Sequence, residues 1–85
     1  MFTGVQFTGA LAANASNRWF THSWPPNWHV MWHMMPTTPR SGAPELDWEV
    51  AVERADASKV TYWITVKNLT NAQVSFDARY VVLNT

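Results

Sequence analysis

Apolar residues in this chain recur at every second position, and no stretch of about ten residues keeps them at the spacing of a helix. A period of two suits extended strands, because successive side chains then point to opposite faces of a sheet. The alternation is interrupted by clusters of Asn, Pro, Gly, Asp and Ser at 14–17, 25–27, 36–44, 55–57 and 68–73, residue types that favour turns through their backbone geometry. Six strands are therefore predicted, over 5–11, 18–24, 28–35, 45–54, 59–67 and 74–83. Six short strands at this spacing indicate an all-β fold, a six-stranded antiparallel β-sandwich. The 85 residues are expected to form a single domain over 1–85, since domains run from roughly 50 to 200 residues.

The C-terminal half suggests its own register, because paired strands must turn their apolar residues to one face. Setting Val52 opposite Val60 places Val50 against Tyr62, Trp48 against Ile64 and Leu46 against Val66. The reverse face then pairs Glu53 with Lys59 and Glu45 with Lys67, and sets Glu49 opposite Trp63. Continuing through 68–73 with Val66 opposite Val74 puts Ile64 against Phe76 and Val60 against Tyr80. In the N-terminal half, Trp24 opposite Trp28 gives a core face of Phe20, His22, Trp24, Trp28, Val30 and Trp32. Its reverse carries Trp19, Thr21, Ser23, His29, Met31 and His33.

Composition narrows the function. Six basic against six acidic residues give zero net charge, which lacks the basic footprint of a nucleic-acid binder or a membrane-surface helix. The apolar runs fall far short of the roughly 20 residues that span a bilayer. Met1-Phe2-Thr3-Gly4 has no signal-peptide character, so a soluble chain without a membrane span is expected, its compartment left open. No Cys is present, which excludes a disulfide framework. Six Trp, four Phe, two Tyr and four Met are more than so small a core can hide. Exposed aromatics mark contact with a ligand or another subunit.

In this register Trp63 lies on the polar face, between Glu49 and Asp77, with Thr61 and Arg79 nearby. An indole among carboxylate, guanidinium and hydroxyl groups suits a sugar, whose apolar face stacks while its hydroxyls take donors and acceptors. The candidate ligand-binding set is Trp63, Asp77, Arg79, Glu49 and Thr61, joined by Trp19, His29 and His33. The plainer alternative is cross-strand packing of Trp63 beneath Arg79. His29 and His33 share a strand face but stand roughly 13 Å apart at 3.3 Å per residue, too far to ligate one metal ion. No metal or cofactor is expected. Glu49 and Asp77 would lie roughly 9 to 10 Å apart on two neighbouring strands, near the limit for an inverting glycosidase pair. A flat sheet face offers no water-excluding cleft, so no enzymatic activity is expected. Asn14-Ala15-Ser16 and Asn68-Leu69-Thr70 match the short glycosylation acceptor pattern, and no function is assigned to them. Val81, Leu83, Met31 and Met35 fall on nominally outer positions, so either the other sheet covers these strand ends or a second copy does, and the excess of apolar surface favours a homo-oligomer.

The chain resembles the H-type lectins in several stretches. They are Phe20 with Trp24-Pro25-Pro26 before the third strand, Val50 and Val52, the run Ile64-Thr65-Val66-Lys67-Asn68-Leu69-Thr70, and Val74-Ser75-Phe76. The resemblance implies a six-stranded sandwich that assembles in trimers or their multiples and binds galactose-type sugars at subunit edges. The family's last strand is of Trp-Ile-Ala type where this chain has Tyr80-Val81-Val82-Leu83, and the aromatic and His of its final hairpin turn are replaced by Asn68-Leu69-Thr70-Asn71, so no sugar ligand is carried over. The expected function is a non-catalytic carbohydrate-binding module, multivalent through self-association, with a glycan as its partner. The alternative is an assembly subunit whose aromatic and Met surfaces only hold copies together.

Overall fold

The computed structural model describes residues 1–85. Its six strands are β1 (Phe2–Leu11), β2 (Ser16–Trp24), β3 (Val30–Pro36), β4 (Leu46–Arg54), β5 (Val60–Asn68) and β6 (Val74–Val82). They form two three-stranded antiparallel sheets, ordered β1-β6-β3 and β2-β5-β4. No helix is long and apolar enough to cross a membrane.

The even-numbered residues of the two central strands are apolar almost throughout, and this places the core. Val60, Tyr62, Ile64 and Val66 of β5 and Phe76, Ala78 and Val82 of β6 turn inward and join Trp24, Trp32, Met34 and Leu11 in one cluster. Removing such surface from water is the main force holding the sheets together. Aromatic rings bridge the layers edge to face, Trp24 against Tyr80 at 5.1 Å and Trp19 against Phe76 at 5.3 Å between centroids. Gly9 opposes Phe76 in the β1–β6 pair, and a Cβ there would stand 2.7 Å from the Phe76 ring. The fold is thus all-β and sandwich-like.

Strand partners differ from the sequence expectation in three places. β5 and β6 are not paired with each other: each is the central strand of its own sheet. The chain turns over between them around Asn68, which is fully buried. Its amide donates to the carbonyl oxygens of Leu11, Ala12 and Ala72.

β2 and β3 likewise belong to different sheets, and Trp24 and Trp28 meet ring to ring at 6.2 Å without being ladder partners. Pro25 and Pro26 have no N–H to give to a hairpin. The His29 N–H is held by Asn84 at 2.8 Å, so β3 begins at Val30.

The β4–β5 pair is a hairpin, but it is shifted by two residues, with Arg54 opposite Val60 and Val52 opposite Tyr62. Its loop takes five residues, 55–59, because the Asp56 carboxylate accepts from the Ser58 N–H at 2.8 Å and the Arg54 guanidinium donates to the Asp56 and Ala57 carbonyls. A shift of two keeps every side chain on its expected face. It does undo the expected Glu53–Lys59 and Glu45–Lys67 pairs, leaving Glu53 opposite Thr61 and Asp47 opposite Lys67.

The faces of β2 also need correction. Phe20 and His22 are exposed, whereas Thr21 is buried and Trp19 packs against the core. A β-bulge is responsible. Thr21 opposes Tyr62 and Trp24 opposes Val60, so His22 and Ser23 together face only Thr61. Ser23 takes a φ of 68° to make the insertion, and one extra residue reverses the alternation on either side of it.

Candidate functional site

Trp63 projects from the outer face of the β2-β5-β4 sheet, as its odd position in β5 requires, and remains partly exposed. The paired rows around it run Arg18–Thr65–Glu49, then Phe20–Trp63–Ala51, then the His22–Ser23 bulge beside Thr61 and Glu53. Phe20 is 59% exposed and its ring centroid lies 5.0 Å from that of Trp63, tilted by 33°. Together the two rings make an aromatic surface across adjacent strands. The indole Nε1–H donates to Glu53 Oε1 at 2.8 Å, fixing the ring's orientation. The Arg18 guanidinium carbon sits 4.8 Å from the indole centroid, a distance at which a cation is attracted to the ring face. His22 closes the far end, with its ring centroid 6.3 Å from Phe20.

Ion pairs occur elsewhere, at Arg40–Glu45 and Arg79–Asp77. Arg18, Glu49 and Glu53 are in no ion pair, so the guanidinium, the Glu49 carboxylate and the second oxygen of Glu53 can still meet a ligand. A groove of about 420 Å³ adjoins the aromatic surface, lined by Gln6, Phe7, Trp19, Phe20, Thr21 and His22. Beside Glu49 lies a second depression of about 160 Å³, bordered by Ser16, Asp47, Thr65 and Lys67. His22 Nδ1 and Ser23 Oγ are 2.9 Å apart on this open face, and that is the imidazole's only hydrogen bond.

The eight residues singled out from sequence do not converge. Trp63 and Glu49 share this face, with the buried Thr61 two residues from Trp63 in β5. Trp19 lies in the seam between β1 and β2, stacked on Phe7 at 5.7 Å, and reaches the surface only along the groove beside Phe20. Asp77, Arg79 and His33 sit on the outer face of the other sheet, where Arg79 pairs with His33 across β6 and β3. His29 is in the crossover before β3. Glu49 and Asp77 therefore do not flank Trp63 from two neighbouring strands, because their strands are in different layers. Phe20, Arg18 and Glu53 were missed for the same reason: they reach Trp63 only through β2 lying beside β5 and the two-residue shift of β4. Had β2 been aligned with β5, the aromatic at Phe20 two residues beyond Arg18 would have been the signal. No group of three or more His, Asp or Glu side chains that could hold a metal ion is formed.

Comparison with protein-family models, with curated proteins and with solved structures finds no match to this chain.

Proposed function

We propose that the protein is a non-catalytic carbohydrate-binding module of lectin type, akin to the six-stranded H-type lectins. The observation that carries this reading is the partly exposed Trp63 beside the exposed Phe20 on a sheet face. A pyranose laid on this surface buries its apolar face on the rings, while Arg18 donates to its hydroxyls and Glu49 and Glu53 accept from them. The pairing of Trp63 Nε1 with Glu53 holds the ring in advance, which lowers the ordering cost of binding. An open face suits binding better than hydrolysis, which needs a cleft that excludes water. Multivalency through self-association raises the avidity of a shallow site.

The test is a tryptophan fluorescence titration with monosaccharides, supported by a glycan array. Saturable binding is expected, and Trp63→Ala or Phe20→Ala should weaken it by about tenfold or more, the scale of a lost stacking contact. Absence of saturation with every sugar would overturn the proposal. The second reading, an assembly subunit, is favoured by the exposed Val5, Met31 and Leu83, and predicts association without sugar binding.

A further inference from the structure

We infer that the free edge of β4 receives an extended segment of a partner protein carrying basic residues at alternate positions, which joins the β2-β5-β4 sheet as an antiparallel fourth strand. This edge shares Glu49 and Glu53 with the proposed sugar face, but the inference rests on the strand edge and not on the carbohydrate reading. β4 pairs with β5 on one side only, and its other side presents unpaired backbone donors and acceptors along nine residues. Such an edge is a template for strand addition.

Two rows of side chains define what fits. On the inner row, Leu46 and Trp48 pack against the core. Val50 and Val52 remain 38% and 66% exposed although they oppose the buried Ile64 and Tyr62. An added strand with apolar residues in phase would cover them. On the outer row, Asp47, Glu49 and Glu53 are all exposed and none is in an ion pair. The row calls for lysine or arginine opposite.

A second β4 is the wrong occupant. Centring two antiparallel copies on Val50 sets Asp47 against Glu53, centring on Glu49 sets Glu49 against itself, and centring on Ala51 sets Glu49 against Glu53. These registers, which pair most of the strand, bring carboxylates face to face, which is destabilising; centring on Val52 avoids that clash but pairs only 50–54 of β4. The edge thus rejects its own copy and selects a basic strand.

The test uses the full chain at low salt with two labelled peptides, Lys-Val-Thr-Val-Lys-Val-Lys and its counterpart with Glu for Lys. Fluorescence anisotropy should show the basic peptide binding about tenfold or more tightly, from three cross-strand charge pairs, with the preference shrinking as salt is added. Amide hydrogen exchange on the wild-type protein should show new protection in 46–54. The double variant Asp47→Lys with Glu49→Lys, checked for an unchanged thermal transition, should reverse the preference. Equal affinity for both peptides, protection on another strand, or self-association abolished by Val52→Lys would each overturn the inference.

Discussion

Asn68 carries more of the fold than its single amide suggests. It is fully buried, and its Nδ2 donates to three carbonyls at 2.7 to 3.1 Å. Its Oδ1 accepts from the Thr70 N–H and hydroxyl at 2.9 and 2.8 Å. Every polar valence is therefore used, tying the end of β5 to the β1–β2 turn and to the crossover into β6. Asn68→Ala removes the side-chain donor to the Leu11 and Ala12 carbonyls, leaves Ala72 only the Thr70 hydroxyl, and empties a fully buried site, so a loss of about 3 kcal/mol in urea-unfolding free energy is expected. The Asn-Leu-Thr motif is a structural plug in the folded chain, whereas Asn14, in the other such motif, is exposed. Asp56 acts at a different site. The Ser58 backbone N–H, then its hydroxyl and the charge of Lys59, hold its carboxyl below the usual 3.8. A lowered native value stabilises the fold above the ordinary carboxylate pKa and is lost as pH falls through the native one. Asp56→Ala should lower the melting temperature at neutral pH, and melts repeated in acid should show the difference vanish.

Among the elements, β2 shows how one irregularity can redirect a strand. The His22–Ser23 bulge lets Trp19 and Trp24 both reach the core while Phe20 points outward to Trp63. Ser23 stands in the left-handed region at φ 68°, where glycine is at ease and a β-branched residue is not. Ser23→Gly should leave stability within about 0.5 kcal/mol of wild type, and Ser23→Val should cost about 1 to 2 kcal/mol or more, both read from denaturant midpoints. Deleting Ser23 should be far worse, since restoring strict alternation forces either Trp19 or Trp24 out of the core. The β4–β5 hairpin is more tolerant, because its loop changes register by two and leaves the faces intact.

The whole molecule is thin, 42 × 23 × 16 Å, and only 15 of its 85 residues are buried. A core of this size supplies little stability by itself, and small scaffolds commonly gain the remainder by association. Val5, Met31 and Leu83 are exposed at 51% to 59%, and Val5 and Met31 share a groove of about 570 Å³ with Val81. Light scattering across a concentration series is expected to show a defined oligomer, and a monomer at every concentration would remove avidity from the proposed function.

The amino-acid sequence by itself determined the class of fold, the approximate strands and the faces of β4, β5 and β6. The period of two is a local property, and burial rewards it whichever strand lies alongside. The same period put Trp63 on an outer face. Tertiary structure alone decided the neighbours of that residue: Phe20, Arg18 and Glu53 in place of Asp77 and Arg79. Alternation is unchanged when a partner strand is exchanged or a register moves by two residues, so it cannot select between them. That choice was made by long-range contacts: the Asn68 plug between layers, the Arg54–Asp56 loop and the extra residue at Ser23.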